Sequence, residues 1–386
     1  MKILMVLERD FPPDLRVENE IKSLINAGHS VSLACYGLKS GTSTFNWNGC
    51  VVFKKKVRKF IYKSSVGALK FPFYFNFWKS HLEAIINEIE PDAIHIHDLP
   101  LAKLGVYFKM KYHLKFTLDL HENWPSYLEV SSHTNSFLGK ILSNIKQWEE
   151  YELEQCKNAD SIIVVVDEAK ERLVKLGVFN KKIFIVSNYP ELSDFENIHT
   201  DCQKSENIVL FYAGGITEHR GLQFFINAIP YLLDKNRKIE LRIFGEGNYT
   251  STLKGLVQQL NIGNYVKFFG QVPYKTVLEQ LIQADIALIP HTKNNHTDST
   301  IPHKLFQYIL AGKPVLVSNC SPIERIVNDI SAGAVYRWNN PVEAAQKAEW
   351  IIENRMNFNE ERLKQTIKDK YSWENEALKL QFIYED

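Results

Sequence analysis

Short, continuous hydrophobic runs alternate along this chain with longer segments whose apolar residues recur every three to four positions. The runs are Ile3 to Leu7, Val31 to Tyr36, Ala93 to His97, Phe116 to Leu120, Ile162 to Val166 and Ile183 to Val186, then Ile208 to Tyr212, Glu240 to Phe244, Val266 to Phe269, Asp285 to Ile289 and Val315 to Val317. Runs without polar alternation suit strands buried on both faces, and the amphipathic stretches between them suit crossover helices. The pattern therefore predicts an α/β protein with parallel sheets wrapped by helices. Helical spacing is clear at Val17, Ile21, Leu24 and Ile25, closed by Gly28, and at Ile141, Ile145, Trp148 and Leu153 in a helix predicted from Phe137 to Asn158. Further helices are predicted from Glu168 to Leu176, Leu222 to Leu233, Tyr274 to Gln283, Pro341 to Asn354 and Asn359 to Lys370. One polar stretch, Ser187 to Asn207, breaks the alternation and reads as a linker, dividing the chain into domains of residues 1–190 and 191–370.

Composition narrows the classes. With 386 residues, 45% of them hydrophobic, and a net charge of +1, the chain is long enough for two cores and lacks the basic excess of a non-specific nucleic-acid binder. The five cysteines, Cys35, Cys50, Cys156, Cys202 and Cys320, are scattered and form no C-x-x-C, which predicts reduced thiols in a cytoplasmic protein. Glu8-Arg9-Asp10 cuts the first apolar run short of a signal peptide's core, and no later run reaches the ~18 residues of a bilayer span. Residues 51–80 stand apart: eight Lys or Arg (among them Lys54, Lys55, Lys56, Arg58, Lys59 and Lys63), nine aromatics and no acidic residue. Two readings are open for this stretch: a monotopic contact with anionic lipid on the inner face of the cell membrane, or a strand edge followed by a core-facing helix with solvated lysines.

Candidate chemistry gathers where loops follow strands. The polar turn Asp298-Ser299-Thr300 leads through Pro302 into an apolar-faced segment with Leu305, Phe306, Ile309 and Leu310, ended by Gly312 and Pro314. A loop opening on free N–H groups at a helix start is a natural anion site. Gly214-Gly215 follows a strand and precedes Arg220 at the start of a helix, so backbone and one cation can approach a phosphate closely. Asp98, His121 and Glu122 lie just past predicted strands, where ligands bind in doubly wound sheets. His121 reads either as an active-centre residue or as a loop histidine bonded to backbone, while His95, between Ile94 and Ile96, reads as an interior histidine. Arg16 reads either as a phosphate or carboxylate holder or as a surface arginine paired with Glu20. No G-x-G-x-x-G follows the first strand, so nothing points to a dinucleotide. There is no Asp-x-Asp pair, and no metal ligand set is indicated.

The segment S-x-x-P-x-K-L-F-Q-Y-x-x-A-G-K-P, from Ser299 to Pro314, resembles the donor-site helix of the retaining glycosyltransferases of family 4. That resemblance implies the GT-B fold: two Rossmann-like doubly wound domains with an interdomain cleft, and the last helix, from Tyr371-Ser372-Trp373-Glu374, packing back on the first domain. The family's two donor-site glutamates would fall on Ser299 and Gln307, so both carboxylates are absent; Gln307 retains the capacity to hydrogen-bond a ribose diol. The order F-P-P then N-A-G-H-S-V is similar to the family's opening, with Asp14-Leu15-Arg16-Val17-Glu18 where many members have a Gly-Gly loop. The motif G-R-x-x-x-x-K-G is met with Gly215 in place of arginine and Arg220 in place of lysine, leaving Lys304 to supply a second cation. Gly245-Glu246-Gly247 resembles the family's G-x-G, Gly270-Gln271-Val272-Pro273 the backbone that reads the base, and His121 the histidine beside the donor sugar.

By resemblance, then, the chain is a retaining, metal-independent hexosyltransferase of bacterial surface-polysaccharide type with no cofactor. A nucleotide-sugar, UDP-linked before GDP-linked, is the donor, and a glycan or polyprenyl-linked molecule the acceptor. His121, Arg220 and Lys304 are the expected catalytic groups, with Arg16, Gly214, Gly215, Glu246, Val272, Asp298, Ser299, Thr300 and Gln307 on the donor and Asp98 and Glu122 toward the acceptor. A catalytically silent subunit and a UDP-sugar 2-epimerase are the alternatives on the same fold.

Overall fold

The structure is a computed structural model that describes residues 1–38, 41–130, 142–190, 206–235 and 238–385. The start of the helix predicted at Phe137, most of the predicted linker and Cys202 lie outside the described residues. The chain forms two compact units, Met1–Asn188 with Glu374–Asp386, and Tyr189–Trp373.

In the first unit β1 (Lys2–Leu7), β2 (Ser30–Gly37), β3 (Ser43–Trp47), β4 (Cys50–Lys56), β5 (Ala93–His97), β6 (Lys115–Leu120), β7 (Ser161–Val164) and β8 (Ile183–Ile185) form one sheet, ordered β3-β4-β2-β1-β5-β6-β7-β8. All neighbours are parallel except β3 with β4. Ile3 to Leu7 are fully buried, as a central parallel strand requires. The strand order reverses between β1 and β5. This puts the loops after those strands at a crevice of the kind where doubly wound sheets bind ligands. Asp14 caps the helix Leu15–Asn26 by accepting from the Val17 amide, and Glu18 accepts from the Asp14 amide in return. The helix Trp373–Phe382 belongs largely to this unit: Glu376 Oε2 accepts from the Ser187 amide at 2.8 Å, and Lys115 Nζ donates to the Ile383 carbonyl at 2.8 Å.

The second unit has β9 (Ile208–Ala213), β10 (Ile239–Phe244), β11 (Val266–Gly270), β12 (Ile286–Ile289), β13 (Val315–Ser318) and β14 (Gly333–Tyr336), all parallel, ordered β11-β10-β9-β12-β13-β14. Its order reverses between β9 and β12.

Several expectations are corrected. β3 and β14 were not anticipated. β3 is a half-exposed hairpin strand joined to β4 through Asn48 and Gly49, both at positive φ (48° and 90°), a two-residue turn that the Asn-Gly pair favours. The helix expected from Leu222 to Leu233 is two helices, Leu222–Ile226 and Ile229–Leu233, because Pro230 has no N–H and its ring crowds the carbonyl of Ile226. Pro302 does not start the donor-loop helix, which begins at Lys304 after His303 and runs seven residues to Leu310.

Residues 51–80 match neither reading in full. β4 is not an edge, since β3 covers it, and Lys54 is a buried partner of Asp10 at 2.6 Å, not a free surface cation. On the helix Phe73–Ile89, Tyr74, Phe75 and Trp78 pack into the core, whereas Phe60, Phe71 and Phe73 are exposed, with the Phe60 and Phe73 rings 5.8 Å apart. Cys35, Cys50, Cys156 and Cys320 are free and buried. Among the described residues no helix is long and apolar enough to cross a membrane.

Candidate functional site

At the strand-order reversal of the second unit, the loop after β9 folds onto the turn after β10. The Gly214 amide donates to the Phe244 carbonyl at 2.9 Å, the Ile216 amide to the Glu246 carbonyl at 3.0 Å, and the Tyr212 hydroxyl to the Gly215 carbonyl at 2.8 Å. Glycine is required where these strand ends meet. A Cβ on Gly245 (φ 117°) would lie 2.1 Å from the Gly214 carbonyl oxygen, and one on Gly221 (φ 69°) 1.8 Å from that of Pro290. Gly215 is different, because a Cβ there meets nothing within 4 Å.

Arg220 ends a short 3-10 turn, Glu218–Arg220, and its Nη1 donates to His291 Nε2 at 3.0 Å. Guanidinium only donates, so His291 is neutral with its proton on Nδ1. Lys304 Nζ reaches the Ala213 carbonyl at 3.3 Å and sits 4.0 Å from the Tyr212 ring centre, in space that a side chain at 214 would crowd. Burial, then the Arg220 charge, pushes the Lys304 ammonium well below its ordinary pKa. Burial, then Arg220 and Lys304, lowers His219 to about 4; burial, then His219 and Arg220, lowers His296 to about 3. Two basic side chains and three neutral histidines thus share one place, and among the described residues neither basic group is paired with a carboxylate. The arrangement is suited to receive an anion.

The other predicted donor residues divide. Glu246 is exposed beside the glycine turn, Val272 is half-buried past the end of β11, and Gln307, one turn after Lys304, donates to the Tyr274 hydroxyl at 3.2 Å. In the loop before the helix, Asp298 and Ser299 are engaged within the second unit's own loops. Asp298 Oδ1 accepts from Lys293 Nζ at 2.9 Å and from the Ser321 amide at 2.7 Å. The Ser299 amide donates to the His296 carbonyl at 3.0 Å, and its hydroxyl to the Asn295 carbonyl. Thr300 Oγ1 donates to the His296 carbonyl at 3.3 Å. His219, His296 and Tyr212 were missed. His219 adjoins Arg220 in sequence, and Tyr212 closes the run before Gly214-Gly215, signals that were there to be read.

In the first unit His121 is buried, and both ring nitrogens are held by side chains rather than backbone. Nε2 bonds the Asp119 carboxylate, and Nδ1 accepts from Asn188 Nδ2 at 2.9 Å. Burial, then the Arg16 charge, lowers its pKa, so the imidazole is neutral. Arg16 is not a surface arginine paired with Glu20. Its side chain is one-tenth exposed, 3.7 Å from Asp98 Oδ2 and 3.9 Å from Asp14 Oδ1. Burial pulls the guanidinium down, but Asp98, Asp119, Asp14 and Glu20 together raise it further and keep it charged. Asp98 is held at φ 65° with its amide donating to the Asp119 carbonyl at 2.8 Å, and Glu122 is half-buried in the loop after β6. His95 is fully buried as expected. Asp119 was missed because it lies inside a hydrophobic strand.

Residues 16–190 match the model of "Glycosyltransferase Family 4" and residues 194–373 that of "Glycosyl transferases group 1". Among curated proteins, the chain is 24% identical over 192 residues to the putative colanic acid biosynthesis glycosyltransferase WcaL of Escherichia coli, covering 50% of this chain and 47% of that one. The chain spans about half the length of the curated relatives it matches. Among solved structures it is similar to sucrose-phosphate synthase of Thermosynechococcus elongatus (TM-score 0.76, 15% identity, 99% and 98% of the two chains). It is also similar to HepE of Anabaena, solved in complex with UDP (TM-score 0.73, 11% identity, 100% and 99%). At such identities the likeness speaks for the fold, two parallel-sheet Rossmann-like units, and the two family models account for one unit each. The chain therefore belongs to the GT-B glycosyltransferases, with a family 4 first half and a group 1 second half.

Proposed function

We propose that this protein is a retaining hexosyltransferase that moves a sugar from a nucleotide-sugar, UDP-linked before GDP-linked, to a hydroxyl of a lipid-linked or growing glycan, without a divalent metal in the transfer step. The observation that carries this reading is the pair Arg220 and Lys304 at the β9/β12 reversal, two basic groups without a carboxylate between them. As the glycosidic bond breaks, negative charge grows on the departing nucleoside diphosphate. Cations and amides fixed in advance stabilise it with little reorganisation. The charge of a diphosphate also offsets the desolvation and the Arg220 repulsion that depress Lys304. Support for the ligand class comes from the UDP held by the Anabaena neighbour, and for a surface glycan from the name of the Escherichia coli relative. Gln307 hydrogen-bonds the ribose, and the backbone around Val272 and Glu246 contacts the nucleoside. The neutral His121 orients the sugar and is not a base, and Asp98 and Glu122 stand on the acceptor side.

The test is Arg220→Ala assayed for transfer from UDP- and GDP-sugars. Loss of one such charge contact is expected to lower kcat about 100-fold with the circular dichroism spectrum unchanged. Turnover within a few-fold of wild type would overturn the leaving-group role. Activity that persists in EDTA and an NMR spectrum showing the donor's anomeric configuration in the product are the companion expectations. A second reading, a silent subunit, is favoured by one observation: position 299 carries no carboxylate and its hydroxyl is engaged within its own loop. Calorimetry that detects no UDP binding would support it.

A further inference from the structure

The first sheet buries a cluster that has no proposed contact with the sugar and adjoins His121 through Asp119. The helix Leu15–Asn26 contributes Glu20, β5 contributes His95 and His97, and β6 contributes Asp119, all at most 2% exposed. His97 and Asp119 are register partners on adjacent strands, and His95 lies on the same face two residues earlier. One donor atom from each of the four groups lies within 4.8 Å of every other. His97 Nδ1 is 2.8 Å from Asp119 Oδ2, and His95 Nε2 is 3.5 Å from that oxygen and 3.7 Å from Glu20 Oε2. Ligands at the usual 2.0–2.1 Å from zinc stand roughly 3.3 Å apart in a tetrahedron, so these spacings match a coordination shell after small adjustments.

Hydrogen bonding accounts for only part of the arrangement: Asp119 Oδ2 bonds His97 Nδ1 and His121 Nε2. His95 Nε2, Glu20 Oε2 and Asp119 Oδ1 are sealed from water and have no hydrogen-bond partner. The Tyr384 hydroxyl is 2.8 Å from His95 Nδ1. A phenol oxygen that accepts from Nδ1–H leaves a bare Nε2 lone pair facing two carboxylates, and outer contacts of this kind fix histidine tautomers in metal sites. Two imidazoles and two carboxylates suit zinc, whereas magnesium and calcium ask for six or more oxygens.

We propose that Glu20, His95, His97 and Asp119 bind one Zn²⁺, which ties the helix Leu15–Asn26 to β5 and β6. In the bound state His97 Nδ1 coordinates and its proton moves to Nε2. The two carboxylates balance the charge of the ion. With four protein ligands the ion has no open position, so its role is structural, and through the Asp119–His121 bond it also holds the His121 ring.

The untagged full chain, purified without chelator, equilibrated with zinc and desalted, is expected to carry about one zinc by mass spectrometry of the metal. Cobalt exchanged into it is expected to give the strong visible absorption of a four-coordinate site, and zinc, unlike magnesium, to raise Tm. The double variant Glu20→Gln, His95→Gln is expected to lose the bound metal and the cobalt spectrum. Wild-type protein with less than about a tenth of an ion per chain, or a folded double variant that keeps a full ion, would overturn the proposal. Should the variant not fold, the wild-type stoichiometry and cobalt spectrum decide alone.

Discussion

Gly215 stands where the family pattern carries arginine, and the environment of that position says what the replacement cost. Its neighbours Gly214 and Gly245 are at positive φ and pressed against backbone or an ammonium, but a side chain at 215 enters open space. Glycine is therefore not required there by sterics, and its effect is to withhold a cation. Gly215→Arg is expected to fold with a Tm within about 2 °C of wild type and to bind UDP about tenfold more tightly, since a charge-assisted contact to phosphate is worth roughly 1.5–3 kcal/mol before ordering costs. A calorimetric titration showing weaker binding would mean that the loop does not face the phosphates. Lys304 adds a second expectation. Its folded pKa lies below its free value, and a diphosphate restores the charge, so UDP binding above neutral pH should take up protons. Binding enthalpies measured in buffers of different ionisation heat read this directly, and no buffer dependence across the alkaline range would refute it.

At the scale of elements, residues 51–80 show how one sequence signal can divide between core and surface. The helix Phe73–Ile89 takes Tyr74, Phe75 and Trp78 inward, while Phe60, Phe71 and Phe73 remain exposed near Arg58, Lys59, Lys63 and Lys70. Lys54 is excluded from any membrane role by its bond to Asp10. Charge reversal at Arg58, Lys59 and Lys63 is accordingly expected to abolish co-sedimentation with anionic vesicles, at roughly 1 kcal/mol per cation, while Lys54→Ala affects stability instead. Unchanged sedimentation of the reversed variant would dispose of the lipid contact.

At the scale of the whole molecule, individual buried groups respond to pH in opposite senses. In the second unit His219 and His296 are lowered to about 4 and about 3, chiefly by burial. Between those values and 6.5 the unfolded chain binds more protons, so these groups withdraw stability as pH falls through that window. In the first unit Glu8 is raised to about 8, again chiefly by burial. The folded state therefore binds more protons between 4.5 and 8, and that contribution is lost as pH rises. Calorimetric scans of Glu8→Gln should show higher Tm than wild type at pH 8 and little change at pH 5. His219→Gln with His296→Gln should flatten the decline between pH 6.5 and 4. Parallel curves for wild type and variants would contradict both assignments. The sequence alone determined the alternation of buried strands and helices, the glycine-rich turn with Arg220, and the family, because periodicity and turn chemistry are local properties carried by neighbouring residues. Tertiary structure alone decided that Lys304 stands beside Arg220, that His291 bonds it, that Asp10 neutralises Lys54, and that Glu20, His95, His97 and Asp119 face one point. The physical reason is that a parallel sheet brings together residues from distant strands, and which side chains converge depends on strand order and register, which no short window of sequence contains.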